Sequence, residues 1–469
     1  MHRRESSTSS PTVPPGGAPP WWIEDALAAE GNPEPSAALY GETEADVAIV
    51  GGGYTGLWTA LALHERAPET RVVVLEAEFC GAGPSGRNGG FIEGYWPAFA
   101  ELRALFGDDA ATQLARAGEG IRPAVRALGD DVWLREGGML MVATTEAQER
   151  VLDRALTAAP PDQAVALSRD EVAARCASPR FRRGVLFPDT GTVHPGLLVR
   201  ALRRAALARG VVLHEATHGT GVQPGRVASA HGAVRARSVV VATNAAMTDW
   251  RPVRGRLTVF GSYVVLTEPV PELLAEINWT GGEALVDARM FLHYFRTTND
   301  GRVLMGSGSG PIGYRNRIDR RFTHDAATGA RAELGLRRLL PGLDAARIER
   351  SWGGPIDVSA DHVPFVASAG GGVHFAAGFS GNGVGPSWLA GQALASLALG
   401  RDDEWASLPL VRGRGARVPG EPLRRIGGGA IRAAILACEE ADEAGRRTPL
   451  LASAVAQVPR LLRLPLGTR

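Results

Sequence analysis

Asp46-Val-Ala-Ile-Val-Gly-Gly-Gly-Tyr-Thr-Gly56 is the stretch of sequence that decides the fold. Its first five residues form a short apolar run, which is typical of a strand buried on both faces. The glycines after it open a helical pattern that Pro68 ends. A second apolar run, residues 71–76, follows directly. Strand, helix and second strand within about thirty residues predict a βαβ unit with parallel strands.

The spacing Gly51-x-Gly53-x-x-Gly56 predicts a dinucleotide site because its context agrees. A strand precedes it, a helix follows it, and the acidic residue Glu76 ends the next strand. Gly51 permits the tight turn, Gly53 lets the main chain approach a pyrophosphate, and Gly56 lets helix and strand pack closely. The helix N-terminus adds free N–H groups and a partial positive charge. Glu76 can accept hydrogen bonds from both ribose hydroxyls and would repel a 2′-phosphate, which favours FAD or NAD over NADP.

Two further glycine-rich loops favour FAD over NAD. Residues 81–90 read GAGPSGRNGG, and residues 378–384 read GFSGNGV and precede the last predicted helix of this part of the chain. Loops so far apart in sequence fit a long cofactor held at both ends, with a second helix N-terminus facing the ring. The predicted cofactor-binding residues are Gly51, Gly53, Tyr54, Thr55, Gly56, Glu76, Ala77, Ser85, Gly86, Arg87, Asn88, Gly89, Gly90, Gly378, Gly381, Asn382, Gly383 and Val384.

The composition excludes several chemistries. All 51 basic residues among the 469 are Arg, and Lys does not occur. Enzymes that form a Lys Schiff base and nucleotide-binding loops that need a Lys are therefore excluded. The net charge of +1, without a basic tract, argues against nucleic acid as the main partner. The sequence contains no cluster of His, Cys and carboxylate residues that indicates a metal.

Location is predicted from what the sequence lacks. Cys80, Cys176 and Cys438 share no ligand or redox spacing, which fits a reducing compartment. The sequence has no apolar stretch long enough to span a membrane and no credible signal peptide. We therefore expect a cytoplasmic protein, and the sequence leaves its oligomeric state open.

The expected fold class is α/β. A Rossmann-like FAD-binding domain, built on the βαβ unit and a mainly parallel sheet, is interleaved with a substrate domain built on a mixed or antiparallel sheet with helices. The block 97–180 has a helical texture, whereas 250–350 alternates polar and apolar residues as antiparallel strands do. The predicted division is a disordered lead at 1–20, the FAD-binding domain at 21–96, 181–249 and 351–400, the substrate domain at 97–180 and 250–350, and a C-terminal helical extension at 401–469.

Several motifs together point to a known family. They are the Gly51–Gly56 fingerprint, Glu76, SGRNGG at 85–90, Tyr294-Phe-Arg296 with Gly301-Arg302, Trp352-Gly-Gly354 and GFSGNG at 378–383. This set resembles the D-amino acid oxidase/glycine oxidase/sarcosine oxidase superfamily over roughly residues 21–400. The SGRNGG element is most similar to the γ-glutamylputrescine oxidase branch.

The resemblance implies an FAD-dependent enzyme that oxidises a C–N bond. A small-molecule amine or amino acid would pass hydride to flavin N5, water would hydrolyse the imine, and electrons would pass to O2 to give H2O2. Two alternatives stay open. One is a dehydrogenase of the same fold that uses another electron acceptor, and the other is a non-catalytic FAD-binding or assembly protein.

The resemblance also implies non-covalent FAD. Several family members attach the flavin through a Cys after the late Trp-containing strand or through a His near the SGRNGG loop. Here the corresponding residues are Gly353 to Ile356 and Arg87 to Gly90, and neither nucleophile is present.

Arg87, Tyr263, Tyr294 and Arg296 are the predicted catalytic residues. Arg87 is either a cation beside the flavin that stabilises its reduced form or a structural partner of a carboxylate. Arg296 either forks onto a substrate carboxylate or forms a rim salt bridge. Tyr263 and Tyr294 belong to predicted substrate-side strands, where they either line the pocket or pack in the core.

His194 and the absence of Lys complete the set of expectations. His194 precedes Pro195 at a predicted helix start, which favours a capping role over that of a base. Relatives resembling sarcosine oxidase use a Lys beside the flavin to help O2 accept an electron. In this chain either Arg87 or a His takes that role, or O2 is a poor acceptor.

Overall fold

A computed structural model of the chain describes residues 20–458, except 130, 309 and 414. The predicted disordered lead therefore lies, apart from Pro20, outside the described residues. The α-helices of this part of the chain are α1 Trp21–Ala29, α2 Tyr54–Arg66, α3 Phe99–Phe106, α4 Asp108–Gly118, α5 Ile121–Arg126, α6 Glu146–Ala158, α7 Arg169–Ala173, α8 Pro195–Ala208, α9 Pro271–Glu276, α10 Ala326–Leu339, α11 Pro386–Leu399, α12 Leu423–Glu443 and α13 Leu450–Ala456.

The strands of the described residues form two large sheets and a small one. They are β1 Gly41–Val50, β2 Val72–Leu75, β3 Phe91–Glu93, β4 Met139–Val142, β5 Val165–Leu167, β6 Gly184–Phe187, β7 Thr190–Thr192, β8 Val212–His214, β9 Gly221–Gln223, β10 Arg226–Ala228, β11 Gly232–Val241, β12 Leu257–Thr267, β13 Ala284–Asp287, β14 His293–Thr297, β15 Val303–Ser307, β16 Ile348–Ser359, β17 Phe365–Gly370 and β18 Val373–Ala377.

The predicted βαβ unit is present at the start of the first large sheet. β1 and β2 pair in parallel, with Val47 opposite Val72, and α2 connects them. A Cβ added at Gly56 would lie 1.9 Å from the carbonyl oxygen of Gly51, so helix and strand approach as closely as the motif predicts. β1 starts earlier than expected, at Gly41, because its first residues are largely exposed and leave no apolar signal.

The first large sheet has the strand order β17-β18-β11-β1-β2-β8, with β9 and β10 extending it beside β11. All neighbours from β18 to β8 are parallel, and β17 pairs antiparallel at the edge. Alternate residues of β1 belong to two different cores. Val47 and Ile49 pack with α2, α8 and α11, whereas Ala48 and Val50 pack with the opposite layer. A strand buried on both faces is the expected feature of such a sheet.

The second large sheet is mixed, with the order β16-β12-β15-β14-β13-β4-β6-β5. Only the β13–β4 pair among these neighbours is parallel. Helix α10 packs on one face, where Ala332, Leu336 and Leu339 meet Phe295 and Met305. The two sheets together confirm the predicted fold class.

Strand pairing differs from the predictions in two ways. The block 97–180, expected to be helical, also contributes β4 and β5 to the second sheet, the sheet of the domain to which it was assigned. β6 and most of β16 lie within segments assigned to the FAD-binding domain, yet both pair in the second sheet. The physical reason is that pairing partners lie far away in sequence, so local patterns do not reveal them. The rest of the predicted division stays a prediction.

The C-terminal helix α12 packs on the second-sheet side of the molecule. Its buried residues are Ala434, Ile435 and Ala441. Glu439 accepts a hydrogen bond of 2.6 Å from the Met290 N–H and forms an ion pair of 3.2 Å with Arg289. None of the described helices combines the length and apolar character needed to cross a membrane.

Replacing Gly56 by Ala tests the helix–strand contact. The new Cβ has no space beside the Gly51 carbonyl, so we expect the free energy of unfolding to fall by about 2–3 kcal/mol, as for other overpacked sites. The matched control is Gly429→Ala in α12, where nothing lies within 4 Å and Ala favours the helix. Chemical denaturation of both variants measures the effect. Equal stability of Gly56→Ala and the parent chain would contradict it.

Candidate functional site

Glu76 occupies the end of β2 beside the first glycine-rich turn. Its carboxylate accepts hydrogen bonds from the N–H groups of Gly52 at 2.7 Å and Glu78 at 3.1 Å. Burial raises the pKa of Glu76, and these two donors oppose the rise. A carboxylate has about four acceptor positions, so acceptor sites are left for ribose hydroxyls. Ala77, directly after it, is exposed.

The first turn of α2 is held against the next loop. Gly53 is the N-cap residue, and the following amide, the Tyr54 N–H, donates to Ser85 Oγ at 3.0 Å. A Cβ at Gly53 would lie 2.8 Å from the same oxygen. Thr55 follows in the first turn and is buried, and the Tyr54 hydroxyl donates to the Pro195 carbonyl at 2.9 Å. The Gly51–Gly56 turn and the 81–90 loop therefore form one cradle.

The 81–90 loop is braced by Asn88. Its Nδ2 donates to the carbonyls of Pro84 at 3.1 Å and Ser85 at 2.9 Å, and its Oδ1 accepts from the Gly90 N–H at 2.8 Å. The glycines of this loop adjoin other parts of the protein. A Cβ would lie 2.4 Å from Ile23 at Gly86, 2.9 Å from Tyr294 at Gly89 and 2.1 Å from the Val193 carbonyl at Gly90. These three glycines are thus required by protein packing, which the cofactor-based prediction did not foresee.

The 378–384 loop has glycines of a different kind. Gly378 has φ +80°, a conformation that L side chains rarely adopt. Gly381 also has a positive φ, +91°. At Gly381 and Gly383 an added Cβ would make only ordinary contacts, at 3.6 and 3.7 Å, so protein packing does not require glycine there. The Asn382 N–H donates to the Phe379 carbonyl, and Val384 immediately precedes the Gly385 N-cap of α11. This loop and the cradle fit the two ends of FAD.

The stretch of β16 from Gly353 to Asp357 contacts the 81–90 loop at one end and the 378–384 loop at the other. On one side Arg87 Nη1 donates to the Gly353 carbonyl at 3.3 Å. On the other side a Cβ at Gly381 would lie 3.6 Å from Ile356, and the Gly378 N–H donates to Asp357 Oδ2 at 2.5 Å. One strand of the second sheet therefore brings together loops that are remote in sequence.

Tyr294 faces the 81–90 loop from the second sheet. The strand register aligns Tyr294 with Gly306, Val264 and Trp352 on one face. The Tyr294 hydroxyl lies 2.8 Å from Ser262 Oγ. The Tyr294 ring lies over Gly306, where an added Cβ would be only 2.0 Å from the ring. Burial raises the pKa of Tyr294 to about 12, so the hydroxyl stays protonated at ordinary pH.

Tyr263 lies on the opposite face of the same sheet. Successive strand residues alternate between faces, and Tyr263 aligns with Ser307 and His293 instead of Tyr294. Its hydroxyl donates to the Arg321 carbonyl. A cavity of about 390 Å³ between α10 and α12 is lined on this face by His293 and Ser307. Tyr263 is therefore not brought to the loops that fit the cofactor, in contrast to the role predicted for it.

Arg296 is fully buried and bound to main-chain carbonyls. Its Nη1 donates to Val193, its Nε donates to Thr297 at 3.1 Å, and its guanidinium lies 5.6 Å from the Trp22 ring centroid. Burial lowers the pKa of Arg296 to about 9. These contacts fit a structural role, but Nη2 of the same guanidinium has no hydrogen-bond partner among the described residues. The fork onto a substrate carboxylate stays a prediction.

Arg87 is half-buried between the loop and β16. Its Nε donates to the Ala82 carbonyl at 3.1 Å, and the Trp352 indole donates to the Arg87 carbonyl at 3.0 Å. Burial lowers the pKa of Arg87. The negative charge of Glu78 opposes this effect of burial, so Glu78 is the carboxylate that acts on Arg87.

The structure adds residues that sequence reasoning missed. Ser262 is one, and Asp357 with its donor Asn244 is another. A carboxylate between the apolar residues Ile356 and Val358, and a polar residue just after buried strand β11, were the available signals. His194, by contrast, accepts from the Leu197 N–H at 3.1 Å and caps α8, as predicted. Within the described ranges no three His, Cys, Asp or Glu side chains cluster to hold a metal ion.

The fold and the site together define a class of two-sheet dinucleotide-binding protein. A largely parallel sheet carries the glycine-rich turn and its acidic residue, and one strand of a mixed sheet contacts both glycine-rich loops. In a comparison with solved structures, glycine oxidase from Geobacillus kaustophilus has a TM-score of 0.66 at 23% identity, covering 80% of this chain and 100% of that one. L-proline dehydrogenase from P. horikoshii has a TM-score of 0.64 at 20% identity, covering 80% and 96%.

Sequence comparison gives the family. The model of the FAD-dependent oxidoreductase (DAO) family matches residues 46–397. γ-Glutamylputrescine oxidoreductase from Escherichia coli K12 is 30% identical over 404 residues, covering 80% of this chain and 89% of that protein. This chain belongs to the FAD-dependent oxidoreductase family, and FAD is its cofactor.

Replacing Glu76 by Ala tests the nucleotide end of the site. The ribose hydroxyls lose a charged acceptor, so we expect the dissociation constant of FAD to rise at least about tenfold. Fluorescence of FAD released on dilution of the holoenzyme measures it. Glu69→Ala is the control, because Glu69 is exposed in the turn between α2 and β2. An unchanged FAD affinity in Glu76→Ala would contradict the assignment.

Proposed function

We propose that this chain oxidises the C–N bond of an amine to an imine, which water then hydrolyses to a carbonyl compound and ammonia or an amine. The observation that supports this most is the convergence of both glycine-rich loops on Gly353 to Asp357, next to the face that bears Tyr294 and Ser262. The name of the Escherichia coli relative, which acts on γ-glutamylputrescine, supports an amine donor.

The residues that would hold FAD are those of the cradle and the 378–384 loop. Bound FAD supplies the acceptor for two electrons and a hydrogen from the substrate carbon that bears nitrogen. Glu76 would bind the ribose, and the N-termini of α2 and α11 would face the pyrophosphate and the ring carbonyl. Arg87 provides a positive charge between loop and β16, where it would favour the added negative charge of the reduced state.

The hydroxyls of Tyr294 and Ser262 would orient the substrate nitrogen. The two oxygens lie 2.8 Å apart, so one hydroxyl donates to the other. The donor keeps its lone pairs and the acceptor keeps its proton, and either can be directed at the substrate. Because the pKa of Tyr294 is raised to about 12, this hydroxyl acts as a hydrogen-bonding group and is not a general base near neutral pH. Proton loss from the substrate amine then comes from solvent equilibrium before oxidation.

The substrate class that fits best is an amine without a carboxylate on the reacting carbon. Arg296, the cation expected to bind such a carboxylate, is fully buried and donates to Val193 and Thr297. An α-amino acid would leave its carboxylate without that partner. Amino acids are the competing class.

The electron acceptor we propose is O2, which would give H2O2, and the FAD is held non-covalently. Gly353 to Ile356 offer no Cys, and Arg87 to Gly90 offer no His, for attachment. A dehydrogenase with a different acceptor is the second candidate, favoured by the absence of Lys from the chain.

An anaerobic flavin-bleaching screen tests the proposal. We expect primary amines, such as N-acylated diamines, to bleach the flavin at least ten times faster than glycine or L-proline. The rate should rise about tenfold per pH unit below the pKa of the amine, because only the neutral amine donates hydride. A flavin that stays oxidised with every amine would support the non-catalytic alternative, and preference for α-amino acids would refute the substrate class. Air readmission that regenerates oxidised flavin with H2O2 would support the oxidase over the dehydrogenase.

Replacing Arg87 by Met tests the cation near the flavin. Met keeps an unbranched side chain but removes the guanidinium charge, so we expect the reoxidation rate with O2 to fall by about 10²-fold. Stopped-flow absorbance measures flavin reduction and reoxidation separately. Arg350→Met is the control, because Arg350 lies on β16, the strand that Arg87 contacts, but is paired with Glu24 at 3.5 Å. Unchanged reoxidation in Arg87→Met would exclude this role.

A further inference from the structure

Asp357 is a buried carboxylate at the junction of the two sheets. It belongs to β16 and is 0% exposed. Its Oδ2 accepts from the Gly378 N–H at 2.5 Å, and its Oδ1 accepts from the Phe379 N–H at 3.2 Å and from Asn244 Nδ2 at 2.7 Å. Its main-chain carbonyl accepts from the Ser380 N–H at 2.9 Å. One residue of the second sheet therefore binds two loops of the first.

The two loops lie at the carboxyl ends of adjacent parallel strands. Asn244 follows β11 and Gly378 follows β18, and these strands pair directly. Ligands of open α/β sheets bind at this edge. Asn244 and Ser380 have φ of 48° and 56°, which non-glycine residues adopt only when their surroundings hold them there. Asp357 provides that constraint through its hydrogen bonds.

The groups that face the carboxylate are neutral donors. Among the described residues no cation lies within 4.0 Å of Asp357. The charged groups on neighbouring segments are Asp361, which pairs with Arg412 at 2.6 Å, and Arg87, which contacts Gly353. The histidines nearby in sequence are His362, just after Asp361, and His374 on β18. The N–H donors alone therefore stabilise the negative charge.

We propose that ionised Asp357 is the positioning residue that holds the 378–384 loop in the conformation that binds FAD. The ionised carboxylate offers acceptors to all three donors at once. A protonated carboxyl would direct a hydrogen at one of these N–H groups and release part of the loop. FAD binding is then coupled to loss of the Asp357 proton. This inference depends on the family's cofactor and is independent of which amine is oxidised.

The pH dependence follows from burial. Desolvation raises the pKa of Asp357 to about 7, against the opposing effect of its donors. Below that pH the FAD-free protein carries the proton, and FAD must displace it. The stability of the FAD-free protein depends on this group in the opposite direction. Because the folded-state pKa is raised, the contribution of Asp357 to stability is present at low pH and is lost as pH rises through about 7. Weaker FAD binding in acid would therefore not come from the effect of Asp357 on unfolding.

The test is FAD release from the diluted holoenzyme, measured by FAD fluorescence at pH 6 and pH 8. A dissociation constant about tenfold larger at pH 6 is expected, from one proton bound with a pKa near 7. Asp357→Asn should bind FAD weakly, with equal dissociation constants at both pH values. If the parent chain shows no pH dependence, or if Asp357→Asn keeps it, the proposal is overturned.

Three variants distinguish Asp357 from neighbouring titrating groups. Asp361→Asn and His362→Gln should keep the tenfold difference, since Asp361 pairs with Arg412 and His362 is exposed. Asn244→Ala removes one donor, so the midpoint of the pH dependence should move to higher pH. This last variant also decides the question if Asp357→Asn does not fold. Loss of the pH dependence in His362→Gln would overturn the proposal. An unmoved midpoint in Asn244→Ala would also overturn it and would indicate that another carboxyl group of the site, such as Glu76, titrates instead.

Discussion

The contact between β16 and the two glycine-rich loops is the constraint on which the site depends. Residues 353–357 accept a hydrogen bond from Arg87 at one end and from the Gly378 amide at the other. The 81–90 loop follows β2 and the 378–384 loop follows β18, and both strands belong to the first sheet, whereas β16 belongs to the second. Since β16 is fixed by its long antiparallel pairing with β12, the distance between the loops is set by the second sheet.

The glycines of the site have two different physical causes. Gly86, Gly89 and Gly90 are small because α1, β14 and the segment before α8 pack directly against them. Gly378 and Gly381 instead have φ of +80° and +91°, a conformation that L side chains rarely adopt. An identical residue type in the sequence thus reflects close packing in one loop and main-chain conformation in the other.

The positions of Arg296 and Arg87 limit the chemistry that this chain can perform. The protein has only Arg as a permanent cation, and Arg has a planar guanidinium that readily binds carbonyls. Arg296 binds main-chain oxygens in the core, where desolvation lowers its pKa. Arg87 remains at the junction of loop and strand. Burial raises the pKa of the Asp357 carboxyl, whereas it lowers the pKa of Arg87. Desolvation therefore disfavours the charged form of both groups, which lie at the two ends of the stretch 353–357.

The sequence by itself determined the βαβ unit, the acidic residue Glu76, the capping role of His194 and the two-sheet fold class, because each depends on contacts between near neighbours or on strong periodicity. Tertiary structure alone decided which face of a strand meets the cofactor loops. Tyr294 and Tyr263 look equivalent in sequence, but register places them on opposite faces of one sheet. It likewise decided that Arg296 is fully buried and donates to main-chain carbonyls, and that Asp357 accepts a hydrogen bond from Asn244 at a separation of 113 residues. Strand pairing and burial are long-range properties, so no local pattern contains them.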